Sequence, residues 1–201
     1  MDDRFEERFG ATQVMVIMRG LASDASLALA ERAWTAGVRM VEIPIQGPAA
    51  VEALRVVAAA AGERGLVVGA GTVVTPEHVD AARRAGAAYT VSPGTDEEVI
   101  RASLSAGLPT LPGVATASDI QRCARLGLRW LKAFPAASLG PGWISAMHGP
   151  FPEMRFVATG GVSVANADQF LAAGARAVSL GSALADPDQL DALSRLVTRR
   201  S

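Results

Sequence analysis

Residues 66–86 read LVVGAGTVVTPEHVDAARRAG, and this stretch contains one complete strand, turn and helix. The run from Leu66 to Gly69 is short and apolar, which is typical of a buried strand. Thr75-Pro76-Glu77 predicts a helix start, because threonine caps a first turn and proline suits its first position. Ala85-Gly86 predicts the helix end, since glycine readily adopts the left-handed conformation found there. The segment therefore predicts one βα unit.

The same pattern recurs along the chain. Eight apolar runs are predicted as strands: Gln13–Met18, Val38–Ile45, Leu66–Gly69, Ala88–Val91, Pro109–Leu111, Arg129–Phe134, Arg155–Ala158 and Ala177–Leu180. Further helix starts are predicted at Ser23-Asp24, Thr95-Asp96-Glu97-Glu98 and Thr116-Ala117-Ser118-Asp119, and the last two resemble capping boxes. Helix ends carry glycine at Ala36-Gly37, Ala85-Gly86, Ala106-Gly107, Leu126-Gly127 and Ala173-Gly174.

Eight βα units joined by short turns predict an α/β fold in which helices cross over between parallel strands. Eight strands close a (β/α)8 TIM barrel, and 201 residues lies at the small end of that fold. We expect a single domain over residues 1–201, with an N-terminal helical segment across the bottom of the barrel. An open doubly wound sheet is disfavoured, because no Gly-x-Gly-x-x-Gly motif follows the first strand.

The composition limits the classes of molecule that this protein is expected to bind. The net charge is −1, so nothing indicates nucleic acid or an anionic membrane as a partner. The N-terminus lacks the apolar stretch of a signal peptide, and no apolar run approaches the roughly 18 residues of a membrane span, so we expect a cytoplasmic protein. Cys123 is the only cysteine, which excludes a cysteine-based metal cluster. His78 and His148 have no carboxylates at metal-ligand spacing, so no metal is expected.

Lys132 is the only lysine among 19 basic residues. Arginine keeps its proton in proteins, whereas a partly buried lysine amine can lose it and attack a carbonyl carbon. Lys132 and Glu42 both lie inside apolar strands, where an unpaired charge is costly. A buried ion pair with a purely structural role is one explanation for these two charged residues. Catalysis is favoured, because both strands are expected to end at one mouth of the barrel.

Small and polar residues follow the other strands, on the side of a barrel that carries the active site. The full set is Arg19, Glu42, Gln46, Gly71, Thr72, Ser92, Pro93, Pro112, Gly113, Lys132, Thr159, Gly160, Gly161, Gly181 and Ser182. Thr72 can offer a hydroxyl and a backbone N–H to a carboxylate. Gly160-Gly161 and Gly181-Ser182 follow strands seven and eight, where barrels bind phosphate on backbone N–H groups and a helix N-terminus. Tight turns also use glycine, but two such turns at the two expected strands favour phosphate.

Six motifs occur in the order and spacing of one family: Val41-Glu42-Ile43-Pro44, Gly69-Ala70-Gly71-Thr72-Val73, Val91-Ser92-Pro93-Gly94, Leu131-Lys132-Ala133-Phe134-Pro135, Thr159-Gly160-Gly161-Val162 and Leu180-Gly181-Ser182. From Gln13 to Leu184 the chain resembles the class I aldolases of 2-keto-3-deoxy-6-phospho-sugar acids (KDPG and KDPGal aldolases). The resemblance implies a (β/α)8 barrel, a homotrimer, a phosphorylated keto sugar acid as substrate, and no metal or other cofactor. It implies that Lys132 forms the Schiff base and that Glu42 acts as acid and base.

The residue types suit the cleavage of such an acid to pyruvate and D-glyceraldehyde 3-phosphate. The amine of Lys132 attacks the C2 ketone, and loss of water gives a protonated imine, an electron sink for C3–C4 cleavage. Glu42, acting through a water molecule, removes the C4 hydroxyl proton and later protonates the enamine of pyruvate. Pro93 and Phe134 are expected to line the substrate site and to keep it dry.

One position departs from the gluconate enzymes, which typically carry arginine four residues after the glutamate to hold the pyruvyl carboxylate. Here that residue is Gln46, which cannot form a charged bidentate pair. Arg19, at the end of strand one, can supply the charge from another wall. The arginine-glycine turn at Arg19, together with Glu42-Ile43-Pro44 and Leu139-Gly140-Pro141, resembles the galactonate branch, whereas Thr159 resembles the gluconate branch. We expect both C4 epimers to be cleaved, with a modest preference for galactonate.

Two other functions share part of this pattern. A phosphate-binding barrel isomerase or epimerase would use the same glycine turns but has no need for a lysine at a strand end. A noncatalytic barrel that binds a sugar phosphate is the second alternative. Both alternatives predict that the amine of Lys132 never becomes covalently linked to a substrate.

Overall fold

The computed structural model describes residues 5–6, 13–181, 193 and 197 of the chain. The strands in these residues belong to one parallel sheet: β1 Val14–Ile17, β2 Met40–Pro44, β3 Val67–Gly71, β4 Tyr89–Val91, β5 Thr110–Leu111, β6 Gly113–Val114, β7 Trp130–Ala133, β8 Arg155–Thr159 and β9 Ala177–Leu180. The spatial order is β5-β4-β3-β2-β1-β9-β8-β7-β6. The first and last strands therefore lie side by side, and the sheet forms a nearly closed barrel, as the sequence predicted.

The fifth barrel strand differs from the prediction. The run Pro109–Leu111 was expected to form one strand, whereas the structure has β5 and β6 on either side of Pro112. β5 pairs with β4, and β6 pairs with β7. Proline has no N–H to donate to the ladder, but its carbonyl accepts a hydrogen bond from the N–H of Lys132 at 2.9 Å. Together β5 and β6 bring the two ends of the sheet close to each other.

Helices connect the strands on the outside of the barrel. They are α1 Ser23–Thr35, α2 Pro48–Glu63, α3 Pro76–Arg84, α4 Glu97–Ser105, α5 Ala117–Arg125, α6 Ala136–Leu139, α7 Pro141–His148 and α8 Ala167–Ala172. The five glycines predicted to end helices all have positive φ: Gly37, Gly86, Gly107, Gly127 and Gly174. None of the helices within the described ranges is long and apolar enough to cross a membrane.

Two of the predicted caps are confirmed and one is wrong. Thr75 accepts a hydrogen bond from the N–H of His78, and Thr116 forms a complete capping box with Asp119. Thr95 does not cap α4. Asp96 does so instead, accepting from the N–H of Val99 at 3.0 Å. Because α4 begins at Glu97, Asp96 is the residue next to its first turn, and the hydroxyl of Thr95 donates to the carbonyl of Gly113.

The lower half of the barrel interior is filled by large side chains. The first residues of three strands, Met40, Tyr89 and Trp130, are fully buried there. The ring of Phe5 packs edge-on against Tyr89 with 5.7 Å between the ring centroids. This contact agrees with an N-terminal segment across the barrel bottom, although most of residues 1–12 lie outside the described ranges. The filled bottom leaves the opposite mouth as the place for a site.

Candidate active site

Lys132 and Glu42 meet inside the upper half of the barrel. Lys132 lies on β7 and Glu42 on β2, and their side chains are 5% and 0% exposed. Nζ of Lys132 lies 3.9 Å from Oε1 of Glu42, which is within ion-pair distance but too long for a hydrogen bond. Neither carboxylate oxygen of Glu42 has a hydrogen-bond partner among the described residues. Both the amine of Lys132 and the carboxyl group of Glu42 can therefore bind a further group.

Burial sets the protonation chemistry of Glu42. Loss of hydration raises the pKa of this carboxyl group above its ordinary value, and the positive charges of Lys132 and Arg19 offset only part of that rise. A carboxyl group with a raised pKa in a barrel mouth can hold and release a proton closer to neutral pH than an ordinary glutamate.

Gly71 makes room for the carboxylate of Glu42. A Cβ atom at Gly71 would overlap Oε1 of Glu42, so no other residue fits there without moving the carboxylate. The next residue, Thr72, has a φ of 56°. Left-handed backbone is unfavourable for a β-branched residue, and such strain clusters at functional sites.

A cavity of about 390 Å³ opens beside Lys132 at the barrel mouth. Its lining consists of Ile17, Arg19, Lys132, Phe134, Thr159, Gly160, Gly161, Val162, Ser163, Ser179 and Gly181. The ring of Phe134 lies 5.1 Å from Nζ of Lys132, so an aromatic face shields the amine. The cavity thus extends from the buried amine to the turns that follow β8 and β9.

The Gly160-Gly161 turn has a backbone that only glycine fits comfortably. The two φ values are 93° and 72°. A Cβ at Gly160 would press on the ring of Phe134, and one at Gly161 would overlap Ala137. Asn166 fixes the turn, since its amide donates to the carbonyl of Gly161 and accepts from the N–H of Ser163. Because α8 begins only at Ala167, the cavity lining after β8 comes from the loop residues 160–163 and not from the helix.

Arg19 and Gln46 are joined at the rim. Nη1 of Arg19 donates a hydrogen bond of 2.8 Å to Oε1 of Gln46, and both residues are exposed. The two residues that the sequence assigned to carboxylate binding therefore form one unit just beyond the ends of the adjacent strands β1 and β2. The guanidinium retains N–H groups that can bind an anion.

The structure does not bring every predicted residue to the cavity. Glu42 lies next to Lys132. Seven of the predicted site residues line the cavity: Arg19, Lys132, Phe134, Thr159, Gly160, Gly161 and Gly181. Gln46, Thr72 and Pro93 are not part of the lining, and Pro93 is exposed with its carbonyl packed against Gly113. Ser182 lies outside the described residues.

Four lining residues were missed by the sequence analysis: Ile17, Val162, Ser163 and Ser179. Strand alternation could have indicated Ser179, because it lies two residues before Gly181, which follows β9, and residues two apart in extended chain face the same side. Ser163 follows the glycine pair directly. No signal in the sequence distinguishes Ile17 or Val162 from core residues.

The other candidate groups lie apart from this site. Cys123 is buried on α5, and loss of hydration raises the pKa of its thiol to about 11, so it stays protonated. In the described part of the chain, no three His, Cys, Asp or Glu side chains are grouped closely enough to hold a metal ion.

A family model described as KDPG and KHG aldolase matches residues 5–196. The chain belongs to this aldolase family. The family membership agrees with the observed barrel and with the resemblance drawn from the six motifs.

Two relatives and one solved structure illustrate the similarity of this aldolase chain to others. It is 36% identical to the 2-dehydro-3-deoxy-6-phosphogalactonate aldolase of Escherichia coli over 172 residues, which cover 85% of this chain and 83% of the relative. It is 37% identical to the KHG/KDPG aldolase of the same organism over 157 residues, or 78% and 73% of the two chains. The KDPG aldolase of Legionella pneumophila, with pyruvate captured as a covalent carbinolamine, superposes with a TM-score of 0.84 at 28% identity and covers 96% of both chains.

Proposed function

We propose that this protein is a metal-independent Schiff-base aldolase. It cleaves 2-dehydro-3-deoxy-6-phosphogalactonate, and also its C4 epimer 2-dehydro-3-deoxy-6-phosphogluconate, to pyruvate and D-glyceraldehyde 3-phosphate. The observation that carries this proposal is the buried amine of Lys132, 3.9 Å from a buried carboxyl group and open to the cavity. Family membership supports the aldolase over a barrel isomerase or a noncatalytic binding barrel.

Lys132 acts as the nucleophile. Its neutral amine adds to the C2 carbonyl of the substrate, and the resulting carbinolamine loses the former carbonyl oxygen as water to give a protonated imine. The imine accepts the electron pair of the C3–C4 bond as that bond breaks, which a neutral ketone does less readily. In the KDPG aldolase of Legionella pneumophila pyruvate is captured as a covalent carbinolamine, which is the same type of intermediate as this first step requires.

Glu42 moves the protons. As the C3–C4 bond breaks, the C4 hydroxyl must lose its proton, and the enamine carbon must later gain one to become the methyl group of pyruvate. Both oxygens of Glu42 lack partners within the described residues, and the 3.9 Å gap to Nζ suits a bridging water. The raised pKa of Glu42 helps it to return the proton that it has taken.

The two ends of the substrate bind at different parts of the barrel mouth. The Arg19–Gln46 unit holds the C1 carboxylate at the rim, with help from the strained backbone at Thr72. The glycine turn after β8 and Gly181 after β9 bind the phosphate through backbone N–H groups, because their lack of side chains lets an anion approach closely. Phe134 and Thr159 line the cavity that also contains Lys132. Contacts of Ser182 and Pro93 with the substrate stay predictions.

Reduction with borohydride tests this proposal. Protein incubated with pyruvate and borohydride should gain one covalent adduct per chain by intact mass, and peptide mapping should place it on Lys132. Lys132→Arg keeps the positive charge but removes the nucleophile, so this folded variant should show neither adduct nor cleavage. EDTA should leave the rate unchanged. Absence of an adduct from folded, active wild-type protein would instead favour the isomerase or another mechanism.

We propose one domain over residues 1–201, a homotrimer, and a cytoplasmic location. The first rests on the continuous run of βα units, and the second on the family resemblance. Light scattering on purified protein would measure the mass of the assembly, and a monomer would contradict the homotrimer.

A further inference from the structure

Ser179 carries a polar group that has no role in the site described so far. It lies on β9, it is 1% exposed, and it lines the cavity. Its Oγ atom has no hydrogen-bond partner among residues 13–181. A hydroxyl group buried without a partner is unfavourable, and such groups in native proteins usually acquire a partner from water or ligand. The hydroxyl of Ser179 is therefore available for a molecule in the cavity.

The position of Ser179 limits which part of a ligand it can reach. In the sheet it pairs with Thr159 on β8, and Gly181 follows two residues later, just after the end of β9. Lys132 lies on β7, the other neighbour of β8, and pairs with Val157. Ser179 thus lines the wall of the cavity close to the glycine turns that we assign to phosphate.

The proposed substrate has one polar group left for this part of the cavity. Its C2 carbon bonds to Lys132, its C4 hydroxyl faces Glu42, and its phosphate on C6 binds the glycine turns. Thr159, the neighbour of Ser179 in the sheet, directs its own hydroxyl towards the carbonyl of Val157 at 3.3 Å. The remaining group is the C5 hydroxyl, which lies between the C3–C4 bond that breaks and the phosphate.

We propose that Ser179 is a specificity-determining residue whose hydroxyl group hydrogen-bonds the C5 hydroxyl of the sugar acid. This inference rests on the proposed function. In the direction of condensation, the enamine of pyruvate attacks the aldehyde carbon, which becomes C4. The hydroxyl on the next carbon of the aldehyde then becomes the C5 hydroxyl. Ser179 therefore selects aldehydes that carry a hydroxyl beside the carbonyl group.

Two aldehydes that differ only in this hydroxyl group can test the contact between Ser179 and the C5 hydroxyl. D-Glyceraldehyde carries the hydroxyl in question, and 3-hydroxypropanal lacks only that group. We would measure kcat/KM for condensation of each aldehyde with pyruvate in the wild type and in Ser179→Ala. The variant should lose about three- to tenfold with D-glyceraldehyde, the size of one neutral hydrogen bond, and should be unchanged with 3-hydroxypropanal.

Ser103→Ala provides a matched control. Ser103 is another fully buried serine, but it lies on α4 and accepts a hydrogen bond of 3.0 Å from Thr90, away from the cavity. This variant should lower the Tm and leave the preference between the two aldehydes unchanged. Ser179→Ala should not lower the Tm, because it removes a hydroxyl that has no partner among the described residues.

The outcomes separate this inference from the proposed function. If Ser179→Ala keeps the wild-type preference between the aldehydes, or loses the same factor with both, the contact with the C5 hydroxyl does not exist. Trapping of pyruvate with borohydride in the same variant serves as the second measurement. Normal trapping with an unchanged preference would overturn the role of Ser179 alone, whereas no trapping in the wild type would overturn the aldolase itself.

Discussion

Gly71 leaves the space that the carboxylate of Glu42 occupies. The two residues lie on adjacent strands, β3 and β2, and a single added carbon at Gly71 would overlap Oε1 of Glu42. The glutamate is fully buried, so it has little room to move away. The absence of a side chain at Gly71 therefore fixes where the carboxylate meets the amine of Lys132.

Gly71→Ala should displace that carboxylate. We expect a folded protein in which kcat for cleavage falls at least tenfold, because a misplaced acid–base group transfers protons poorly. Overpacking of this kind also lowers the free energy of unfolding by about 1–3 kcal/mol. Gly62→Ala is the control, since a Cβ there meets nothing within 4 Å. Full activity in Gly71→Ala would show that the position of the carboxylate is not critical.

Glu42→Gln should bind and trap pyruvate but cleave the substrate about 10²- to 10⁴-fold more slowly, the usual value of a positioned acid–base group. The amide keeps nearly the same shape and volume but cannot accept the C4 proton. Single-turnover kinetics would separate cleavage from product release. An unchanged rate would mean that another group moves the proton.

The pH dependence of kcat/KM should report the same carboxyl group. Burial raises the pKa of Glu42, so the base is lost as the pH falls through a value above the ordinary pKa of glutamate, about 4.3. Activity should therefore decline on the acidic side at a higher pH than an exposed glutamate would give. Glu42→Gln should remove this decline from the profile. Its persistence in the variant would assign the decline to a different group.

Arg19→Ala should weaken pyruvate binding about tenfold. This is the low end of the 1.5–3 kcal/mol expected for a hydrogen bond to a charged group, because both Arg19 and Gln46 are exposed. Isothermal titration with pyruvate would measure the change. Arg101→Ala is the control, since that exposed arginine pairs with Glu97 on α4. Unchanged affinity in Arg19→Ala would leave carboxylate binding to Thr72 and backbone N–H groups.

Thr159→Val should alter the choice between the two C4 epimers. Thr159 is buried and lines the cavity, and its hydroxyl can bind one epimer, whereas valine of similar shape can only exclude or tolerate it. We expect the wild type to cleave both epimers with a modest preference for the galactonate form. Values of kcat/KM for both substrates would measure this preference. A wild-type preference above about a thousandfold, or ~4 kcal/mol, would refute mixed specificity; an unaltered ratio in the variant would exclude Thr159.

The chain of βα units could be predicted from the sequence because its signals are local. An apolar run, a capping residue and a terminal glycine act within one or two turns of the chain, as at Thr75 and Gly86. Lys132 and Glu42 stood out for the same reason, since a charged residue inside an apolar run is visible without knowledge of the fold. The short range of these signals also explains the errors. Thr95 and Asp96 are both good caps, and the hydroxyl of Thr95 is used instead in a hydrogen bond to the distant carbonyl of Gly113, which leaves Asp96 as the cap.

By itself, the sequence determined the succession of strands and helices, the barrel, and part of the set of polar residues at its mouth. Only the tertiary structure decided which of those residues meet. The 3.9 Å separation of Lys132 and Glu42, the space that Gly71 leaves, and the inward hydroxyl of Ser179 depend on how distant strands align in the sheet. Strand alignment is set by packing across the whole barrel, so no short stretch of sequence encodes it.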